Sequence, residues 1–261
     1  MTGAASLGAL NEALAGIAAP AEALVLPAAA VMTRVSLLVF VLPGVGARAV
    51  PARVRLALAV TLTLLLLPAA APRVGDAAIV PLLLGEAMAG AYLGLAFRLL
   101  LFVLSVAGTV ISQALSLSQV FGAAVEEADT TVSTLMVLSG AALFLTLGLH
   151  VEAIGVLMRS FETLPPGGLG GATPEMASRL ARGFADGLAL GLSLAAPFIA
   201  MNLAYNALLG LLNKAMPQLM VTFVGMPAVT FAGLCLLMAT LPLTLRAWAE
   251  RGAALTGGIL P

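Results

Sequence analysis

Long runs of apolar residues dominate the chain, and short polar or proline-rich stretches separate them. A helix that crosses a bilayer needs about 20 mainly apolar residues, and several runs reach or approach this length. Because hydrocarbon offers no water to backbone N–H and C=O groups, such runs favour helices, whose hydrogen bonds are internal. The pattern predicts an all-α, polytopic membrane protein of about six long hydrophobic helices with kinks. The approximate bounds of the runs are Leu24–Leu42, Leu56–Leu67, Ala77–Ile111, Val132–Leu149, Ser178–Leu212 and Leu219–Leu245.

Proline and glycine mark the places where these runs end or bend. Pro43-Gly44 follows the first run, and Pro68 is predicted to stop the short second run. Pro197 lies inside the fifth run, where its ring removes a hydrogen-bond donor and favours a kink. The residues Asn213–Gln218 predict a tight connection between the fifth and sixth runs.

The strongest break in the chain is Pro165–Gly171, which is almost entirely proline and glycine. We expect it to separate an N-terminal helical part, residues 1–164, from a C-terminal helical hairpin, residues 176–261, with 165–175 as the connection. Glycines four residues apart let helix backbones approach closely in lipid. Such glycines are Gly90 and Gly94, and Gly183, Gly187 and Gly191.

Composition supports a lipid environment and excludes several classes of function. Of the 261 residues, 61% are hydrophobic and 9% are charged, whereas a soluble domain has about 45–50% and about 25%. Twelve basic and twelve acidic residues balance, and no basic face indicates nucleic-acid binding. The single cysteine, Cys235, excludes an intramolecular disulfide and a cysteine-cluster metal site.

Four ionisable residues, Arg34, Glu86, Arg98 and His150, lie within or at the end of apolar runs, where charge is costly. For the two arginines the sequence leaves open snorkelling to the interface or a salt bridge between helices. A carboxylate snorkels poorly, so for Glu86 we expect a hydrogen bond to a neighbouring subunit, with a proton relay as the alternative. For His150, the only histidine, we expect a hydrogen-bonded structural group, since metal ligation needs partners that the chain lacks.

Two further classes of function compete with a purely structural role. The Gly-x-Ser-x string at Gly191–Leu194, together with His150, suggests an intramembrane serine protease, but geometry defines a catalytic triad and a string does not. A small-solute secondary transporter is the stronger alternative, because proline-interrupted helices can form binding sites at the midplane. Such carriers have two similar halves, and no internal repeat is evident. We therefore expect no enzyme, no metal and no cofactor.

Three stretches of the sequence resemble the FliR family of export-gate proteins. The first is Arg48–Ala57, which follows the first apolar run. The second is Leu143–His150, followed by Ser160–Gly167, and the third is Leu209–Leu219, followed by Val224–Pro227. Their order and spacing match the family along nearly the whole chain.

The resemblance implies a structural role in protein export. Members of this family assemble with FliP-like and FliQ-like subunits into a helical ring, the entry portal for unfolded export substrates, in the bacterial inner membrane at the flagellar basal body. FlhB-like and FlhA-like export components are the further partners that it implies. The part before the break would be FliP-like, and the hairpin after it FliQ-like. We expect the flagellar system, with the virulence type III secretion counterpart as the alternative.

The resemblance also implies that the loop after the third helix helps to plug the closed pore, and we expect residues 112–125 to form this loop. They are too polar to face lipid, and they alternate small with apolar residues. Non-helical backbone at membrane depth survives only when protein buries it or when it lines a water-filled cavity. An ordinary solvated loop is the alternative. The predicted plug residues are Ser112, Gln113, Leu115, Ser116, Leu117, Ser118, Val120, Phe121 and Gly122.

A second group of residues is expected to serve assembly with other subunits. The most specific match to the family is the pair Pro217-Gln218 between two apolar runs. A glutamine side chain can hydrogen-bond an adjacent subunit, and an intrachain turn is the alternative. The full set of predicted assembly residues is Arg48, Pro51, Arg53, Glu86, His150, Pro217, Gln218, Gly225 and Pro227.

Overall fold

The computed structural model of the chain describes residues 24–46, 50–74, 78–115, 128–166, 174–215 and 221–256. Within these residues every regular element is a helix, which confirms the predicted all-α class. Five of the described helices are long and apolar enough to cross a membrane, and the pair α4–α5 counts as a sixth if it is one broken span. The helices are α1 (Leu24–Val41), α2 (Ala52–Ala70), α3 (Ile79–Leu115), α4 (Ala128–Thr146), α5 (Leu149–Thr163), α6 (Pro174–Ala215) and α7 (Val221–Thr256).

Several helices extend further than the apolar runs predicted. Pro68 does not stop α2, which continues two residues beyond it to Ala70. The chain continues from α2 into a 3₁₀ turn, Ala71–Arg73. Residues Asn213–Ala215, expected in a connection, form the end of the 42-residue α6. The expected connection therefore shrinks to residues 216–220, which lie outside the described part of the chain.

A glycine near the end of the predicted fourth run separates α4 from α5, and α5 extends beyond that run. Gly148 has φ +76°, a left-handed conformation that glycine adopts without steric cost. Its N–H donates to the carbonyl oxygen of Leu145 at 3.2 Å, and Leu147 N–H donates to Leu143 at 2.8 Å. The end of α4 is thus closed in the way common at helix C-termini, and α5 starts afresh at Leu149.

The described helices fall into two compact units. Unit 1 takes the described parts of residues 1–95 and 151–177, which hold α1, α2, the first half of α3 and most of α5. Unit 2 takes the described parts of residues 96–150 and 178–259, which hold the second half of α3, α4, most of α6 and α7. The two units are defined by contacts within the chain. The predicted division at 165–175 concerns resemblance to other subunits instead, and it stays a prediction.

In unit 1, α1 and α3 lie backbone against backbone. A Cβ added at Gly90 would lie against the carbonyl oxygen of Arg34 and 2.9 Å from its Cα. A Cβ added at Gly94 would lie 2.8 Å from the Cβ of Val41. Glycine therefore permits this contact, as the four-residue spacing predicted. Buried side chains around it include Val31, Val35, Leu38, Leu82 and Leu93.

In unit 2, three helices pack on the second half of α3. A Cβ at Gly191 of α6 would lie 2.9 Å from the carbonyl oxygen of Val103, and one at Gly140 of α4 would lie against a leucine side chain of α3. From α7, the buried Trp248 donates its indole N–H to the carbonyl oxygen of Leu100 at 2.8 Å. These contacts hold α3 in place and leave one of its faces open.

Candidate functional site

The open face of α3 carries polar side chains along an otherwise apolar helix. Arg98, Ser105, Thr109 and Gln113 follow one another at intervals of seven, four and four residues. With 3.6 residues per turn, these intervals place all four on one side of the helix. Arg98, Thr109 and Gln113 are exposed, and Ser105 is half-buried. We call these four residues the α3 stripe.

The Thr109 hydroxyl of the α3 stripe is hydrogen-bonded within unit 2, whereas the arginine of the stripe has no such partner. Thr109 Oγ1 donates to the carbonyl oxygen of Ser105 at 2.8 Å, and Ser133 Oγ of α4 donates to the same oxygen at 3.3 Å. Among the described residues, none hydrogen-bonds or pairs with Arg98 or with the Gln113 side chain. Both groups therefore require water or a polar partner outside the described chain.

Arg98 lies near the midpoint of α3, and this position decides how it can be solvated. α3 has 37 residues and is about 55 Å long, whereas the hydrocarbon core of a bilayer is about 30 Å thick. An arginine at the centre of a membrane helix costs about 2.5–3.5 kcal/mol or more if it faces lipid. The α3 stripe is therefore a face that lipid stabilises poorly.

The α3 stripe leads directly into the predicted plug, whose beginning is helical. Ser112, Gln113 and Leu115 belong to the last turn of α3, so the expectation of non-helical backbone from Ser112 is wrong. Thr230 of α7 secures this turn by donating to the carbonyl oxygen of Leu115 at 2.8 Å. Ser112 and Leu115 are fully buried, and only Gln113 faces outward. The remaining plug residues, Ser116, Leu117, Ser118, Val120, Phe121 and Gly122, lie outside the described residues.

A second polar group is sealed inside unit 1. Arg34 of α1 is 1% exposed and forms a bidentate ion pair with Glu86 of α3, with Nε–Oε2 at 2.8 Å and Nη2–Oε1 at 2.9 Å. Its Nη1 donates to the carbonyl oxygen and the hydroxyl of Ser160 at 3.0 and 3.1 Å, and its Nη2 donates to the carbonyl oxygen of Leu164 at 2.8 Å. The ring of Phe161 lies 4.3 Å from Arg34 Cζ. We call these five residues the Arg34 clamp.

The Arg34 clamp lies at the C-terminal end of α5. The carbonyl oxygen of Ser160 accepts from Leu164 N–H at 2.9 Å and from Arg34 as a second donor, and Arg34 also bonds the carbonyl oxygen of Leu164, just after the helix. The guanidinium provides both the donors and a positive charge where the helix dipole favours one. Of the two alternatives for Arg34, the salt bridge between helices is confirmed. Glu86 is buried and both of its carboxylate oxygens accept from Arg34, a partner within the chain, so the expected bond from Glu86 to a neighbouring subunit stays a prediction.

The other predicted assembly residues in unit 1 and at the start of α5 are scattered. Pro51 is the N-cap residue of α2, and Arg53 is exposed in its first turn. Arg48 lies outside the described residues. His150 is half-buried in the first turn of α5, and its Nδ1 is buried with no hydrogen-bond partner among the described residues. In that same part of the chain, no group of three or more His, Cys, Asp or Glu could hold a metal ion.

Gly225, one of the predicted assembly residues, lines an apolar groove between α6 and α7. A Cβ at Gly225 would lie 2.6 Å from the hydroxyl oxygen of Tyr205, so this glycine lets α6 and α7 approach. The groove between these helices has a volume of about 470 Å³. Pro227 is exposed inside α7. Pro217 and Gln218 lie outside the described residues.

Sequence reasoning named Arg98 and Gln113 but missed Ser105 and Thr109, and it did not join the four residues into one helix face, although the signal was present. Ser105 and Thr109 stand in a stretch, residues 99–111, whose other members are apolar or glycine. Isolated Ser and Thr in membrane helices are tolerated, because they bond back to a carbonyl one turn earlier. The interval from Arg98 to Gln113 would have revealed a helix face, since polar residues recur with helical period.

Comparison with known proteins agrees with this architecture over most of the chain. The sequence model of the family described as "Bacterial export proteins, family 1" matches residues 25–254. The flagellar biosynthetic protein FliR of Caulobacter vibrioides is 32% identical over 236 residues, which cover 86% of this chain and 92% of that protein. FliR of Escherichia coli is 32% identical over 81% of this chain and 83% of its own length. FliR of Pectobacterium carotovorum is 33% identical over 80% and 82%.

These relatives are flagellar, which confirms the expected flagellar system over its virulence counterpart. The match also covers every described helix of the chain, so the likeness does not rest on one motif. The apolar helices long enough to span a bilayer agree with a membrane location. The chain belongs to the FliR family of bacterial export proteins and is a membrane-embedded component of flagellar type III protein export.

Proposed function

We propose that this chain is a structural subunit of the flagellar export gate, the inner-membrane channel through which unfolded flagellar proteins pass. In this proposal it forms the channel with FliP-like and FliQ-like subunits, and FlhB-like and FlhA-like components contact the assembled gate. The observation that carries the proposal is the α3 stripe, an outward polar face with a central arginine on a helix whose other charged residue, Glu86, is buried in the Arg34 clamp.

Three environments compete for the α3 stripe, and a water-filled conduit fits it best. Lipid is disfavoured by the cost of Arg98. A packed partner helix is disfavoured because helix contacts in membranes favour small residues, whereas the stripe has the large side chains of Arg98 and Gln113. An unfolded chain in transit has unpaired backbone N–H and C=O groups. Guanidinium, amide and hydroxyl groups can bond such a backbone whatever its sequence.

Single-cysteine variants test the proposal, and the chain suits them because Cys235 is its only cysteine. In a Cys235→Ser background, Thr109→Cys and Gln113→Cys probe the α3 stripe. Leu138→Cys on α4, where the native side chain is 63% exposed, is the apolar control. Cells with the complete gate are treated with a small water-soluble thiol reagent, with and without an export substrate stalled by a folded C-terminal domain.

We expect the reagent to modify both stripe cysteines and to leave Leu138→Cys unmodified, and we expect the stalled substrate to protect the stripe. Modification in the isolated chain but not in the gate would mean that another subunit covers the stripe, which contradicts the proposal. Modification that the stalled substrate leaves unchanged would also contradict it, because the stripe would then face water outside the export path.

The segment Ser116–Gly122 is this chain's share of the plug in the proposed gate. It follows the α3 stripe directly in sequence, and its apolar residues would exclude water from a closed channel, as hydrophobic constrictions do. Deleting part of Ser116–Gly122 should let ions and small solutes leak through cells that express the full gate, while the complex still assembles. If the gate with the deletion assembles and leaks no more than the intact gate, this segment is only a connector.

Assembly with the partner subunits is proposed to use the connection after α6. Pro217 favours a tight turn there, and the Gln218 amide has donors and an acceptor for a neighbouring chain. Gln218→Ala should lower recovery of the complex when the chain is co-expressed with FliP-like and FliQ-like subunits, while membrane insertion stays intact. Recovery equal to that of the unaltered chain would mean that the turn serves only this chain.

A further inference from the structure

Unit 1 contains a cleft between α2 and α5 with an apolar floor and a charged rim. Its volume is about 210 Å³. Leu66 and Ala69 of α2 and Met158 and Phe161 of α5 line the floor. Leu66 and Phe161 are buried, whereas Ala69 and Met158 are exposed, so the cleft opens to the outside of the described unit.

The rim of the cleft carries an excess of positive charge. Arg73 lies 3.3 Å from Glu162, with Nη2 facing Oε1, and its Nη1 also donates to the carbonyl oxygen of Ala69. Arg159 is exposed, and no described residue hydrogen-bonds or pairs with it. The rim thus holds two arginines and one glutamate, of which Glu162 offsets Arg73 and leaves Arg159 without a counter-charge.

The position of the cleft along the chain points to a lipid headgroup region. Arg73 ends a segment, Ala52–Arg73, whose 22 residues are apolar enough to cross a membrane. Within it, Leu64 and Leu65 are 65% and 68% exposed, so the surface that leads to the cleft is apolar. An arginine at the end of such a segment is placed where phosphate groups of the bilayer lie.

We propose that this cleft binds the glycerophosphate end of an anionic phospholipid. Arg159 and Arg73 hold the phosphate, since a guanidinium matches phosphate oxygens with parallel N–H donors. The first methylene groups of an acyl chain lie on the floor of Leu66, Ala69, Met158 and Phe161. A headgroup without a cation of its own leaves its phosphate charge free to pair with Arg159. A choline headgroup would bring a further positive charge to a rim that already has an unpaired arginine. This site depends on membrane embedding and is independent of the proposed channel.

The test uses the intact export complex, purified in mild detergent and titrated with lipid under native mass spectrometry. Phosphatidylglycerol is compared with phosphatidylcholine of the same acyl chains, and with inorganic phosphate as a competitor. Arg159→Gln removes the free cation of the rim. Ala69→Trp fills the floor and keeps both arginines. Arg182→Gln is the control, an exposed arginine of unit 2 that hydrogen-bonds to Ser178 one turn earlier.

We expect phosphatidylglycerol to bind more tightly than phosphatidylcholine, and Arg159→Gln to weaken it about tenfold, the effect of losing one charge-assisted hydrogen bond. Ala69→Trp should also weaken it, and Arg182→Gln should leave it unchanged. Equal binding of the two lipids, or no effect of either cleft variant, would overturn the proposal. Full displacement by millimolar phosphate would also overturn it, because the site would then bind an anion without an acyl chain. A partner subunit that covers the cleft and excludes both lipids would assign the rim to a protein contact and would also overturn it.

Discussion

Arg34 and Arg98 place the same side chain in two apolar helices, and the structure treats them in opposite ways. Arg34 is buried, and its guanidinium donates to Glu86, Ser160 and Leu164 within unit 1. Arg98 is exposed in the middle of α3, and no described residue pairs with it. A buried arginine with a full set of acceptors stabilises its own chain. An exposed arginine without acceptors in its own chain requires water or a polar partner outside that chain. The comparison therefore separates stability from function.

The largest expected effect is on the Arg34 clamp. Arg34→Met leaves Glu86 as a buried carboxylate without a partner, and breaking one side of a buried pair costs about 3–5 kcal/mol. We expect a strong fall in the melting temperature of the purified complex, or in its yield. Arg34→Met combined with Glu86→Leu should recover much of the loss, because no uncompensated charge remains. If the single and double variants melt alike, Glu86 is not the partner that Arg34 requires.

A smaller effect is expected where α3 approaches the backbone of Arg34. Gly90→Val places a side chain against the Arg34 carbonyl oxygen and should cost about 1–3 kcal/mol through overpacking. Gly210→Val is the control, since no atom lies within 4 Å of a Cβ added there. Thermal unfolding in detergent compares the two variants. Equal stability would contradict the close contact between α1 and α3.

Ser160→Ala tests how the Arg34 clamp shares its donors. The serine hydroxyl accepts from Arg34 Nη1 at 3.1 Å, but the Ser160 carbonyl oxygen accepts from the same atom at 3.0 Å and remains in the variant. We expect a loss of about 1 kcal/mol, the usual net value of one hydrogen bond. A loss as large as that of Arg34→Met would mean that the hydroxyl, rather than the backbone at the end of α5, is the main acceptor.

The smallest expected effect on stability is at Arg98. Arg98→Leu removes no hydrogen bond in the described chain, so the free energy of unfolding should change by about 0.5 kcal/mol or less. Export of flagellar proteins, measured as secreted substrate or swimming, should nevertheless fall, because the α3 stripe loses its charge. A variant as unstable as Arg34→Met would break the comparison between the two arginines. A stable variant with full export would remove Arg98 from the proposed conduit.

The contrast also marks how far the sequence could predict the site. It correctly singled out Arg34, Glu86 and Arg98 as polar groups in apolar runs. It assigned Glu86 to another subunit, because its partner Arg34 lies 52 residues away and nothing local connects them. The third member of the clamp, Ser160, lies 126 residues from Arg34. Contacts of this separation depend on how helices pack, which hydropathy does not contain.

Helix boundaries show the same limit at a smaller scale. Pro68 is predicted to end a helix, but α2 continues through it to Ala70, and a 3₁₀ turn follows. Ser112–Leu115 was expected in a loop and is helical, since Thr230 of α7 accounts for the carbonyl group of Leu115. In both places the residue type was noted correctly, but where each helix ends depends on a bond or a turn outside the local stretch.

The sequence by itself determined the fold class, the membrane environment and the family. Hydrocarbon tolerates only helices or closed barrels, so runs of apolar residues of this length leave little choice. The tertiary structure alone decided which polar groups are satisfied inside the chain and which face outward. That decision depends on close approach of distant segments, such as Gly90 against Arg34, and on which face of α3 the other helices of unit 2 leave open. Packing geometry, and not composition, therefore separates the Arg34 clamp from the α3 stripe.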